Sequence, residues 1–415
     1  MLISRYLHGF DRWYAALLIA LLVGCGADST RGLLVVVDSS LYEPLQASLD
    51  QYAQSVQSEG YEVYVEPWNP GTVDDLKALV FDYVDRHHVE GALLIGDLPA
   101  AWYEMINQST SVYDDFPVDL YLQDRDAVWT DEDENGRLDH HSELNLDIYT
   151  SRLTGTVEQL EKYFARAKRY REDGPLVDVS AFIFLDDDWS RANTTDTFYL
   201  NKLYSSVEVI QTVADSTRDN YLARLTGRGA ELVYQAIHGS SLALWFNDLD
   251  EQGQKILSNV LLSEIPRYNF KGSFYILSDC RAARFTVPNI AEAYTVGTDY
   301  GLAIVGSTKI GQMLNPRVFD KGLALGRGWG EAYKAWYNEE GKRSDEYQLG
   351  MVLMGDPLLR LTGDLTPSAG DFPDSTRASP EGLDVLPQEE IMENCSGNSD
   401  TFEEYRAAHP EFFGD

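Results

Sequence analysis

A chain of 415 residues with 44% hydrophobic content and 25 tyrosines holds enough apolar material for one large α/β unit or two to three ordinary domains. Its formal charge of -34 repels phosphate backbones, which excludes nucleic acid as a partner and leaves solubility, cation binding and attraction of basic substrates as consequences of acidity. Three cysteines, Cys25, Cys280 and Cys395, make no disulfide framework.

Residues 1–25 read as an export signal, with Arg5 and Arg12 as the positive region and Ala15 to Val23 as the apolar core. That core is too short to span a bilayer. It ends in Leu22-Val23-Gly24-Cys25, which resembles a bacterial lipobox. The resemblance implies lipidation of Cys25 and a protein held at the bacterial cell envelope, in contact with the membrane through an N-terminal lipid. A plain signal peptide is the alternative.

Residues 31–175 are expected to form the first α/β subdomain. Leu33 to Val37 is a buried strand, Tyr42 to Ser58 an amphipathic helix and Tyr61 to Val65 a second strand. Thr72 caps a helix running to about His87, with Asp74 and Asp75 in its first turn. Ala92 to Ile95 is a third strand. Strand and helix alternating at this rhythm indicate a doubly wound parallel sheet.

Residues 98–146 break the rhythm with a long polar stretch, and long loops in compact domains usually have a task. Inside it, Asp131, Asp133, Asn135, Arg137 and Asp139 match the start of a calcium loop, with Gly136 at the sixth position. Arg137 would contribute its carbonyl and the others side-chain oxygens to a structural Ca2+. The glutamate expected twelve residues in is absent, since Ser142 stands there and Glu143 comes one place late. An acidic surface turn is the plainer reading. Asp147 to Leu153 returns to strand, Val157 to Arg171 is helical, and Gly174-Pro175 marks a boundary.

Residues 176–363 are expected to form a second α/β subdomain. Val179 to Leu185 is a strand ending in Asp186-Asp187-Asp188-Trp189, and helices are expected near 196–210 and 217–227. Glu231 to Ile237 is an apolar strand followed by His238-Gly239-Ser240, and Gly272 to Leu277 one followed by Ser278-Asp279-Cys280. Ligands of parallel sheets sit beyond the carboxyl ends of the strands, so imidazole and thiol are placed at one edge. An imidazole favours the thiolate and protonates a departing amine, while the N–H groups of Gly239 and Cys280 are candidates for an oxyanion hole. Asn289 to Val296 reads as a helix, Leu302 to Ser307 as a strand and Phe319 to Asn338 as one long helix. Residues 364–415, with thirteen acids against two arginines, read as a disordered acidic tail.

The ordered set of segments is similar to the gingipain-type cysteine peptidases, relatives of caspases and legumains. The likeness rests on Ala92-Leu93-Leu94-Ile95-Gly96-Asp97, Asp147 to Leu153, His238-Gly239-Ser240, the strand into Cys280, Leu302 to Thr308 and Met354-Gly355-Asp356-Pro357-Leu358, and covers roughly residues 31–362. It implies a caspase-like α/β fold of two adjacent sheets and an endopeptidase acting on proteins or peptides. Cys280 would be its nucleophile and His238 its acid/base. It also implies that Asp186 orients His238 and that Asp196 lies in the pocket of an arginine-specific enzyme, although Thr194 and Asp196 equally suit a helix start. Two departures stand out: Asp279 where the family has a small residue before the cysteine, and Ala283 where it carries glycine. A carboxylate beside the thiol disfavours the thiolate, which keeps open an inactive gingipain-like binding domain. A nucleotide-binding alternative lacks any glycine-rich strand-to-helix loop.

Overall fold

The run Leu33 to Val37 is the fully buried centre of β1 (Arg31–Asp38), and the rest of the molecule is layered around strands of this kind. The computed structural model describes residues 31–107, 111–186, 189, 197–250 and 252–367. Alternation proceeds as the sequence predicts through α1 (Ser39–Gln57), β2 (Tyr61–Trp68), α2 (Val73–His87) and β3 (Val89–Ile95). Thr72 opens α2 with a reciprocal cap: its hydroxyl accepts from the Asp75 N–H, and the Asp75 carboxylate accepts from the Thr72 N–H at 2.8 Å. Among the described residues no helix is long and apolar enough to cross a membrane.

The segment 98–146 holds more structure than a loop. It contains a hairpin of β4 (Ala101–Asn107) and β5 (Val112–Val118), the short α3 (Leu120–Gln123) and the two-residue strands β6 (Trp129–Thr130) and β7 (His140–His141). Asp114 and Asp115 disguise β5, because aspartate is depleted in strands. Here each aspartate pairs with an arginine from elsewhere in the fold. β8 (Tyr149–Leu153) and α4 (Val157–Asp173) complete the first half.

The second half runs β9 (Ala181–Leu185), α5 (Leu200–Leu203), β10 (Val207–Ile210), α6 (Arg218–Thr226) and β11 (Ala230–Ala236). It continues with β12 (His238–Gly239), β13 (Ala243–Leu249), β14 (Lys255–Leu261), α7 (Glu264–Tyr268) and β15 (Gly272–Leu277). α8 (Ile290–Thr295), β16 (Ala303–Ser307), α9 (Arg317–Ala324), α10 (Trp329–Glu339), α11 (Asp345–Gln348) and β17 (Met351–Gly355) close it. Two predicted helices need correction. Within 196–210, the described residues form only α5 before Val207-Glu208-Val209-Ile210 joins β9 as a parallel edge strand, as its β-branched residues favour. The helix expected over 319–338 is two, α9 and α10, separated at Gly326, whose φ of +78 no helix continues through.

The two sheets are joined edge to edge. One ten-stranded sheet runs β10-β9-β11-β15-β16-β17-β8-β3-β1-β2. β17 is the seam, parallel to β8 and antiparallel to β16, so the carboxyl edges of the two halves point in opposite directions. Behind the seam, Asp356 is fully buried, ion-paired with Arg171 of α4 at 2.6 Å and accepting from the Tyr52 hydroxyl of α1 at 2.9 Å. Buried charges persist only when paired and hydrogen-bonded in this way.

Candidate active site

β11 and β15 lie side by side in parallel, with Gln235 opposite Leu277. His238 and Cys280 each follow three residues further on, so both leave the sheet at the same level of its carboxyl edge. The chemistry-bearing residues stand there because both strands are buried along their whole length and the apolar runs stop just before them.

His238 passes into β12, where it pairs with Trp245 of β13, and it is 3% exposed. Its ring lies 4.4 Å from the ring of Trp189. Cys280 is half-buried. Gly239 runs close by: a β-carbon placed on it would stand 3.1 Å from the Asp279 β-carbon and 3.6 Å from the Cys280 carbonyl oxygen. Any side chain at 239 would therefore press the two strand ends apart.

Asp186 ends β9 beside β11. Its N–H donates to the Ala236 carbonyl at 2.9 Å, and its fully buried carboxylate accepts from the Asn247 N–H of β13 at 3.4 Å. Asp187, Asp188 and Asp196 lie outside the described residues, as does Cys25.

Asp279 does not sit open beside the sulfur, as the sequence suggests. Its carboxylate is fully buried between the strand ends, where Oδ1 accepts from the Ile237 N–H at 2.9 Å and Oδ2 from the Gln235 side-chain amide at 2.7 Å. Burial pushes this carboxyl well above the usual carboxylate range, the two N–H bonds pull it back, and the charge of Cys280 adds the smallest influence, upward.

The turn after the thiol is braced from both halves of the chain. Arg281 adopts a left-handed conformation with φ of 57, and its N–H donates to the Lys309 carbonyl at 2.9 Å. Its guanidinium meets Asp114 of β5 at 2.8 Å, and the other Asp114 oxygen accepts from the Ile310 N–H at 2.8 Å. Lys309 itself is buried, its ammonium donating to the carbonyls of Ile310, at 2.5 Å, and Glu346. Burial lowers its pKa to about 8, against the opposing charges of Asp114 and Cys280. Ala283 is also fully buried, and its β-carbon occupies the space beside Gly306 of β16.

Residues 27–362 match the sequence profile of peptidase family C25. The chain belongs to that family. Its fold is similar to the crystal structure of the Arg-specific cysteine proteinase gingipain R, with a TM-score of 0.56 and 16% identity over 83% of this chain and 81% of that one. At that identity the likeness establishes a caspase-like fold. No curated protein sequence matches.

In this C25 fold the sequence reading missed Asp114, Lys309 and Arg152. Arg152 is 1% exposed, pairs with Asp119 at 2.7 Å and lies 4.2 Å over the Phe285 ring in the segment following Cys280. No local motif marks Asp114 or Lys309, since each acts across sequence separations set by the sheet, whereas Arg152 lies in the Asp147 to Leu153 block that the sequence reading gave no site role.

The acidic loop 131–139 lies on the β4–β5 hairpin. Asp131 caps the loop's own backbone, accepting from the N–H groups of Asn135 at 3.1 Å and Gly136 at 2.7 Å. Carboxylate oxygens of Asp133 and Asp139 instead converge with Glu104 of β4, all within 4.8 Å of one another. The Asn135 amide donates to Glu104 and Asp133, its Oδ1 accepts from the Arg137 N–H, and the Arg137 guanidinium turns to Asp115 at 3.0 Å. Asp139 Oδ1 is buried without a hydrogen-bond partner among the described residues, which fits a cation ligand better than a closed turn. Glu143 pairs with Lys342 at 3.0 Å, so Glu104 is the third carboxylate here.

Proposed function

We propose that this C25 member is a lipid-anchored cysteine endopeptidase, with Cys280 as nucleophile and His238 as general acid/base. One observation carries the reading: two neighbouring buried parallel strands end in histidine and cysteine at equivalent register positions. The Cys280 sulfur attacks the scissile carbonyl carbon and its proton passes to His238. His238 then returns that proton to the leaving amine as the C–N bond breaks. Water attacks the resulting thioester with His238 as base, releasing the acid and restoring the thiol. The N–H groups of Gly239 and Cys280 are the proposed oxyanion donors, and Asp186 is the proposed orienting acid for His238.

Cleavage after arginine is part of the proposal, with Asp196 at the pocket floor and the chain's net acidity favouring basic substrates. The loop at 131–139 is proposed to hold a structural Ca2+ through Asp133, Asp139 and Glu104, with Asp131, Asn135 and the Arg137 carbonyl completing an oxygen shell. Cys25 is the proposed lipid attachment, placing the enzyme at the bacterial cell envelope.

A Cys280→Ala variant is expected to lose hydrolysis of a peptide library and labelling by a thiol-directed peptidyl probe. Equal turnover by wild type and variant defeats the assignment, and a wild type that neither cleaves nor labels supports the inactive binding domain. Profiling the cleaved position separates arginine preference from apolar or acidic preference. Asp196→Asn is expected to cost roughly 2–5 kcal/mol in arginine specificity. Mass spectrometry of the membrane fraction should show a diacylated mature N-terminus at Cys25.

A further inference from the structure

The carboxylate before the thiol has a place of its own in the fold. The two strands that deliver His238 and Cys280 separate beyond Gln235 and Leu277, and past that level ordinary ladder bonds no longer hold them together. The Ser278 N–H reaches the Gln235 carbonyl at 2.9 Å, and the next residue, Asp279, takes over with its side chain. One oxygen receives the backbone N–H of Ile237, the residue immediately before His238. The other receives the Gln235 amide, whose own oxygen accepts from the Tyr221 hydroxyl at 2.7 Å. Tyr221 in turn meets the Tyr294 hydroxyl at 2.6 Å, so the chain of bonds runs from the catalytic edge to α6 and α8.

We propose that Asp279 is a positioning residue of the peptidase site. Its buried carboxyl group locks the strand ending in His238 to the strand ending in Cys280. The inference rests on the reading of Cys280 as nucleophile. It replaces the view of Asp279 as a defect. The two groups aimed at its oxygens are both N–H donors, so each oxygen is held as an acceptor. A small residue here would leave the Ile237 N–H and the Gln235 amide buried without that acceptor.

The groups facing this pair come from several elements. Tyr221 of α6, Tyr294 of α8 and Tyr234 of β11 surround Asp279, and burial raises the pKa of each, so they stay neutral through the working range. On the Cys280 side, after β16, stands Lys309 with its neighbours Arg281 and Asp114, and His238 follows the neighbouring strand at the same register level.

The test compares Asp279→Asn and Asp279→Ala with wild type, all as full-length protein. Two quantities are read: kinetic constants on a peptide library, and the rate of Cys280 alkylation by iodoacetamide at fixed pH, located by peptide mass spectrometry to separate it from Cys25 and Cys395. The alanine variant is expected to lose roughly tenfold or more in kcat, because a misaligned dyad loses catalysis without losing its thiol. Asparagine keeps an acceptor for Ile237, and with the Gln235 amide reversed it rebuilds the network, so activity returns to within roughly threefold. Its rate of Cys280 alkylation is expected to match wild type within roughly twofold, because the acceptor geometry that positions the turn is kept.

An alanine variant as active as wild type, or an asparagine variant no more active than the alanine variant, overturns the proposal. Should alanine fail to fold, the asparagine variant still decides, since a loss beyond roughly tenfold in kcat there overturns the proposal. A wild type with no hydrolysis at all defeats the peptidase reading instead, and the alkylation rates of Cys280 then decide on Asp279 alone.

Discussion

Arg281 Nη2 lies 2.8 Å from Asp114 Oδ1, a contact across 167 residues of sequence that ties the position after the candidate nucleophile to a hairpin of the first half-chain. The other Asp114 oxygen holds the Ile310 N–H, so one buried carboxylate fixes both walls of the turn that carries Cys280. The Asp114→Ala variant removes both bonds. It is expected to lose about 2 kcal/mol of stability, the usual worth of a hydrogen bond to a charged group with its partner stranded. Peptidase activity should fall further than the unfolded fraction explains. Urea denaturation with kcat/KM in parallel checks it, and a variant of wild-type stability would refute the bracing role.

Ala283 and Gly306 form a matched pair. A β-carbon on Gly306 would stand 3.0 Å from the Ala283 β-carbon, tighter than most β-carbon contacts, so the neighbour must give way. Gly306→Ala should therefore destabilise by about 1–3 kcal/mol through overpacking. Combining it with Ala283→Gly should recover most of the loss, giving a coupling energy outside additivity. Thermal unfolding of the four proteins in the cycle measures this, and purely additive effects would show that the two positions do not share the space.

Lys309 sets a stability dependence at alkaline pH. Burial lowers its pKa to about 8 from an unfolded value of 10.5. Between those values the unfolded chain binds the proton and the folded one does not, so stability rises with pH across that window. At neutral pH the lysine costs up to about 3 kcal/mol relative to an unshifted group. Lys309→Met should lack this rise. Chemical denaturation at intervals from pH 7 to 10.5 tests the sign, and parallel curves for the two proteins would count against it.

Asp356 braces the seam from behind β17. Replacing it by alanine leaves Arg171, 7% exposed, with Glu59 at 2.8 Å as its remaining carboxylate partner. The expected loss is about 3–5 kcal/mol, the cost of breaking a buried ion pair from one side. The Cys280 turn lies away from this contact, so alkylation of Cys280 in the residual folded protein should be nearly unchanged.

Much of this protein is written locally. The apolar runs at 33–37, 92–95, 181–185, 231–237 and 272–277 determine buried strands because continuous burial on two faces demands it, and their spacing determines a doubly wound sheet. Since β11 and β15 are neighbours, the same runs place His238 and Cys280 at one edge. The capping box at Thr72 and Asp75 is equally legible, because its partners are three residues apart.

What the tertiary structure decided are the relationships between distant residues. Whether Asp279 faces the thiol or the β11–β15 cleft depends on how two strand ends diverge, which no spacing along one strand encodes. Gly326 splitting a helix and Val207 to Ile210 joining β9 follow from what each segment packs against, and packing overrides local propensity. The reversal of direction at β17, which fuses two sheets into one, is a property of pairing across the whole chain. Glu104 joins Asp133 and Asp139 for the same reason: a β4–β5 hairpin that reads as polar loop carries it there, and only the folded register brings the three carboxylates together.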